Sequence, residues 1–340
     1  MMNRRKFTSA GLAAMSAVFP RVSVAQSPDA AQTGYQFAAV NGGLLTARHR
    51  GMADAHQAVG DDTLFQVASC SKTVTALAVL TMVRDGRVDL DAPVNRSLDR
   101  WTLPGPRGAE ATLAELMSHT AGTTVQGFAG YGPDAPLPTL HDILMGRHPA
   151  NSNPVRARRR MLGRFRYSGG GTMVLQSLIE DVTGMDFATY TTNEVLRPLG
   201  ATRATFAIRP NTAFAHGLYE NGQPLRGGFM RHPESAAAGL WATASDLARV
   251  LQAVVQALDG ARHAIIPAAL AERMITPVSQ GAGLGLFVSA NGTIWHLGRN
   301  HGFDAMVVAD LNSGRVRAGV TNRNGAISDY ILQFLPDQSG

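Results

Sequence analysis

The last third of the chain switches hydrophobic period, and that switch constrains the fold more than any other feature. Thr293-Ile-Trp-His-Leu297, Asp304-Ala-Met-Val-Val-Ala309 and Arg315-Val-Arg-Ala-Gly-Val320 read as short strands, the last two joined by the turn signal Asn312-Ser-Gly314. A matching pair stands near the start. Tyr35 to Val40 and Leu44 to Arg48 flank Asn41-Gly-Gly43, residues that tolerate the positive φ of a hairpin turn. Between the two groups the pattern is helical: Thr172 to Val182, Phe187 to Leu196, a run from the cap Thr243-Ala-Ser-Asp246 to Leu258, and Ala269 to Ile275. Thr112-Leu-Ala-Glu115 is a capping box for one more helix. Strands at both ends with helices between predict an α/β fold, one antiparallel sheet built from the two termini. The strands cover about 35–50 and 293–322, and a mainly helical region is inserted over about 87–215. Residues 26–340 are expected to form a single domain, with Ala326 to Leu335 closing it as a helix.

The stretch most suggestive of chemistry is Phe65-Gln-Val-Ala-Ser69-Cys-Ser-Lys72-Thr, an apolar segment running into a helix that Gly86 ends. Residues three apart share a helix face, so the Lys72 amine is expected beside the Ser69 hydroxyl. A serine needs a neighbouring base to become a nucleophile, and a lysine becomes one when burial lowers its pKa. The single cysteine, Cys70, has no partner for an internal disulfide; one residue past Ser69, it is expected to point away from it as a small packed residue.

The formal charge is +6, which on its face suggests a nucleic-acid binder. Arg4, Arg5, Lys6 and Arg21 account for four of those charges, leaving 6 − 4 = +2 on a nearly balanced remainder. No nucleic-acid partner is expected. The first 25 residues read instead as a twin-arginine-type leader: Arg4-Arg5, a modestly apolar stretch from Ser9 to Phe19, and the small-x-small site Ser23-Val-Ala25. The expected location is therefore the periplasm or outside the cell. No later segment is apolar enough for stable membrane insertion. The basic run Arg156, Arg158, Arg159 and Arg160 reads as a solvated loop face.

Six landmarks in order give the chain a resemblance to the serine β-lactamase and penicillin-recognising hydrolases, on the side of class C β-lactamases, DD-peptidases, D-aminopeptidases and family carboxylesterases. Ser69-Cys-Ser-Lys72 is similar to the first family motif. Tyr167-Ser-Gly169 stands where the family has Tyr-x-Asn, and His296-Leu-Gly298 where it has Lys-Thr-Gly or His-x-Gly. Leu116 to Gly122, Pro198 to Thr202 and Gly239 to Thr243 complete the set.

The resemblance implies roles. Ser69 would be the nucleophile forming an acyl-enzyme, and Lys72 would help activate it. Tyr167, as phenolate or through a proton shared with Lys72, would act as base and then as acid to the leaving group. Lys72 and His296 are the cations expected to lower its pKa. The N–H groups of Ser69 and Arg299 would form the oxyanion hole. Gly169, Leu297, Gly298 and Arg299 would line the substrate. His119 and Ser71 are expected to be structural.

Two positions depart from the family pattern. Gly169 replaces the Asn that would contact the amide of a β-lactam or peptide, and Leu297 replaces the Thr that helps hold a carboxylate. Losing these donors favours a neutral ester or amide, unless the Arg299 side chain turns into the cleft. The expected partner is a small-molecule or peptide acyl substrate: β-lactam, D-amino-acid peptide or carboxylic ester. A non-hydrolysing penicillin-binding or sensor protein is the alternative. No metal or cofactor is expected: His-x-His and His-Glu-x-x-His spacings are absent, as is Gly-x-Ser-x-Gly.

Overall fold

A computed structural model describes residues 33–158 and 163–327. The expected leader and the greater part of the expected closing helix lie outside the described residues, as do Arg159 and Arg160.

Strands β1 (Tyr35–Asn41) and β2 (Leu44–Arg50) form the N-terminal hairpin, turned on Gly42 and Gly43 with φ of 56° and 82°. The two-residue β3 (Phe65–Gln66) leads into a 3-10 turn, Ala68–Cys70, and then helix α1 (Ser71–Arg84). The middle of the chain contributes α2 (Leu113–Met117), α3 (Leu140–Met145), α4 (Gly169–Thr183) and α5 (Phe187–Thr191), with long loops between the first three. Then come α6 (Ser235–Ala238), β4 (Trp241–Ala242), α7 (Ala244–Leu258) and α8 (Ala268–Ile275). The chain returns to strand with β5 (Phe287–Val288), β6 (Thr293–Asn300), β7 (Phe303–Asp310) and β8 (Arg315–Thr321).

Among the described residues the main sheet runs β2-β1-β8-β7-β6-β5 and is antiparallel throughout. The N-terminal hairpin is thus paired with β8, the sheet the two ends of the sequence require. Helix α7 packs against β1, β7 and β8, its start fixed by the Thr243–Asp246 capping box.

Helix α1 is enclosed: every residue from Ser71 to Met82 is buried. A helix with protein on all sides can carry polar side chains only where each finds a partner. Its threonines do. Thr73 Oγ1 donates to Gly285 O (2.8 Å), Thr75 Oγ1 to Ala236 O (2.9 Å), and Thr81 pairs with the Tyr190 hydroxyl (3.1 Å). Lys72 lies on this helix, 4 % exposed.

Two local expectations change. The helix expected from Thr172 starts three residues earlier: Gly169-Gly170-Gly171 forms the first turn of α4, capped by Ser168, whose hydroxyl accepts from Gly171 N at 3.0 Å. Without side chains there, the segment 123–126 lies directly against the helix start: a Cβ on Gly170 would sit 2.6 Å from Thr124 O. The expected helix from Phe187 to Leu196 is α-helical only to Thr191 and ends in a π turn, Thr192–Leu196.

Candidate functional site

Where β3 meets α1 the chain bends sharply. Ala68 takes φ of 48°, a region that residues with a Cβ rarely occupy. The bend leaves Ser69 half-exposed between buried neighbours Ala68 and Cys70. Lys72 Nζ lies 3.1 Å from Ser69 Oγ and donates to Ala237 O at 2.6 Å. Burial lowers the Lys72 amine to about 7, so a neutral amine is available near neutral pH. The Tyr167 ring centroid is 5.1 Å from the same nitrogen. Burial raises the Tyr167 phenol well above its ordinary value, opposed by a hydrogen bond with Ser69. That direction favours the phenol over the phenolate.

His296 is 2 % exposed on β6. Burial, then the Lys72 charge, pushes it down to about 3, so it is neutral and cannot serve as the cation expected beside Tyr167. Its Nδ1 faces Leu297 O at 2.7 Å, which assigns the proton to Nδ1 and leaves Nε2 an acceptor. Nε2 is buried and finds no hydrogen-bond partner among the described residues.

The pleat of β6 sorts its residues by face. His296, Gly298 and Asn300 share the face toward the 68–70 turn: Cys70 Sγ contacts His296 O (3.7 Å), and Asn300 Nδ2 donates to Gln66 Oε1 (2.9 Å). A Cβ on Gly298 would overlap Val67 O and come within 3.2 Å of Ser69 N, so only glycine lets the strand approach the Ser69 backbone this closely. β5 pairs with β6 at Trp295 and Ile294.

Leu297 lies on the other face and packs, with Phe165 and Tyr167, against the cluster of Phe287, Trp295 and Met306. Arg299 does not restore a carboxylate site. Its Nε and Nη2 donate to Asp304 Oδ1 and Oδ2 at 2.7 and 2.9 Å, and Asp304 is 2 % exposed.

The two residues expected to be structural each make local hydrogen bonds. His119 Nδ1 accepts from Ser168 N (3.2 Å), and its ring lies 4.4 Å from that of Tyr167. Ser71 Oγ donates to Ala68 O (2.5 Å) and accepts from Leu240 N (3.1 Å). Cys70 is buried, and burial raises its thiol to about 12, leaving it inert.

Three contributors escaped the sequence reading: the Ala237 carbonyl that anchors Lys72, the Phe287 ring beside His296 (5.5 Å), and Phe128, which contacts the Cβ direction of Gly169. Of these only Phe128 had a signal, the run of three glycines it packs near. Among the described residues no three His, Cys, Asp or Glu side chains converge as metal ligands, and no helix is long and apolar enough to cross a membrane.

Among characterised sequences, the chain is 29 % identical over 248 residues to esterase EstB of Burkholderia gladioli, covering 63 % of each chain. The chain spans less than two thirds of the length of the first curated relatives it matches. Among solved structures it is similar to the octameric penicillin-binding protein homologue from Pyrococcus abyssi, with a TM-score of 0.70 and 23 % identity over 88 % of this chain and 73 % of that one. It is also similar to D-amino acid amidase from Ochrobactrum anthropi SV3, with a TM-score of 0.68 and 22 % identity over 85 % and 86 %. These likenesses concern the fold. Residues 23–334 match the family described as beta-lactamase, a span that contains all six landmarks, and the chain belongs to that family.

Proposed function

We propose that this protein is an exported serine acyl hydrolase that forms an acyl-enzyme at Ser69 from a neutral carboxylic ester or amide. One observation carries the reading: a buried amine, lowered to about 7, lies 3.1 Å from a half-exposed serine hydroxyl. Similarity to a protein named as an esterase supports the ester class. Export rests on Arg4-Arg5, the apolar stretch after them and Ser23-Val-Ala25.

In the proposed reaction neutral Lys72 takes the Ser69 proton as Oγ attacks the carbonyl carbon. The oxyanion is held by the N–H groups of Ser69 and Arg299, worth roughly 3 kcal/mol each in such sites. The Tyr167 phenol gives its proton to the leaving group and regains one from the Lys72 ammonium. Water then attacks the acyl-enzyme, its proton passes into the same Lys72–Tyr167 pair, and Ser69 leaves with a proton. His296 stays neutral throughout and offers Nε2 as an acceptor. Leu297 in place of a hydroxyl, and Arg299 held by Asp304, support a substrate without a terminal carboxylate.

The test compares the mature protein with Ser69→Ala on p-nitrophenyl butyrate and on a penicillin, reading nitrophenol release, free drug and intact protein mass. Ester turnover by the mature protein alone is the expected result. A lasting penicillin adduct without ester turnover would favour the non-hydrolysing alternative. Turnover that survives in Ser69→Ala would overturn the nucleophile.

A further inference from the structure

We propose that Phe128 sets the acyl-group selectivity of this site, because its ring fills the space that a side chain at position 169 would use to reach the substrate. The inference rests on the acyl-enzyme reading above.

A Cβ built on Gly169 would sit 2.9 Å from Phe128 Cε2, 3.3 Å from its Cδ2 and 3.3 Å from Gln126 O. Phe128 is half-buried, while its neighbours Gln126, Gly127 and Ala129 are exposed. The ring is turned inward from a surface loop, against the start of α4 two residues beyond Tyr167.

The loop is fastened there by several hydrogen bonds. Gly169 N donates to Gln126 O (2.9 Å) and Gly170 N to Val125 O (3.0 Å). Ser168 Oγ donates to Thr124 O (2.8 Å). On its other side, Thr124 N donates to Arg156 O (2.9 Å). Each glycine of the run is needed for this approach. A Cβ on Gly170 would meet Thr124 O at 2.6 Å, and one on Gly171 would meet Thr123 Oγ1 at 2.8 Å. Val125 is held at φ of 64°, a conformation a β-branched residue adopts only when its surroundings impose it. The three glycines and the inward phenylalanine thus form one device.

Its consequence is chemical. In the family the chain resembles, the polar group at this position contacts an amide of the substrate; here the space beside position 169 is taken by an aromatic ring. The first N–H groups of α4 are also spent, on the loop carbonyls and on Ser168. An acyl group carrying an amide there would bury that amide without a partner, whereas an all-carbon acyl group would not. The substrate class is therefore an ester or amide of a simple hydrocarbon carboxylic acid.

The experiment uses two p-nitrophenyl esters of equal length, N-benzoylglycyl and 4-phenylbutanoyl, which differ chiefly in the amide. Rates are measured for the mature protein, Phe128→Ala, Phe128→Leu and Phe128→Ala/Gly169→Asn, with thermal melts to verify folding. The mature protein should prefer the all-carbon ester by roughly tenfold or more in kcat/KM. Phe128→Ala should reduce that ratio at least severalfold, Phe128→Leu should largely keep it, and the double variant should invert it. If the alanine variant does not fold, the mature protein's own preference between the two esters still decides the inference. A folded, active Phe128→Ala with an unchanged ratio, or a mature protein that prefers the amide-bearing ester, would overturn the role of Phe128. A mature protein that hydrolyses neither ester would overturn the acyl-enzyme reading, and this inference with it.

Discussion

Lys72 Nζ stands 3.1 Å from Ser69 Oγ, one helical step further along an enclosed helix, and its second hydrogen bond goes to the neutral carbonyl of Ala237. The interior presents this amine with a hydroxyl and a carbonyl, groups that do not require it to be charged. The proposed chemistry depends on that balance.

Ester hydrolysis should therefore rise with pH as Lys72 loses its proton. The lysine is lowered to about 7, and only its neutral form accepts the Ser69 proton. The kcat/KM profile should climb about tenfold per pH unit below that value and level off above it. A flat profile between about pH 5 and 8 would remove Lys72 from the role of base.

Lys72→Met should abolish turnover and stabilise the fold. The folded-state pKa lies below the unfolded one, near 10.4, so between the two the unfolded chain binds more protons. The parent protein is then penalised fully below about pH 7, and the penalty fades as pH rises toward 10. The methionine variant should gain roughly 4–5 kcal/mol near pH 6, less the lost hydrogen bonds, and little near pH 10. Melting curves at both values decide it; a variant no more stable at the acid pH contradicts the buried-amine argument.

Leu297→Thr should raise the rate of acylation by a penicillin by roughly tenfold, since it restores a hydroxyl in the cluster that Leu297 shares with Tyr167. Ester kcat/KM should change far less. Rapid-quench mass spectrometry would read the adduct, and an unchanged rate would count against the selectivity ascribed to this position.

Asp304→Ala should cost about 3–5 kcal/mol in urea unfolding, because Asp304 accepts from Arg299, Asn324 and Gly325 while 2 % exposed. Arg299→Ala should leave the preference for neutral over carboxylated esters within about twofold, since that side chain is committed to Asp304. A large shift in that preference would mean that Arg299 reaches the substrate.

Legibility differed from element to element, for physical reasons. The strands at 35–50 and 293–321 carry their period and turn residues locally, so their pairing into one sheet could be read from the chain. The start of α4 at Gly169, ahead of the expected Thr172, was not legible, because glycine is a poor helix former in isolation but here serves close packing of 123–126 against α4. His296 misled in charge: a histidine beside a tyrosine suggests a cation, yet full burial makes it neutral.

The sequence by itself determined the order of elements, the Ser69–Lys72 spacing on one helical turn and the six landmarks, because all of these depend on residues near one another in the chain. Only the tertiary structure decided that Lys72 is buried enough to be neutral, that burial favours the Tyr167 phenol, that Arg299 turns to Asp304, and that Phe128 covers Gly169. Each of those depends on which distant groups surround an atom, and desolvation and contact exist only once the chain has folded.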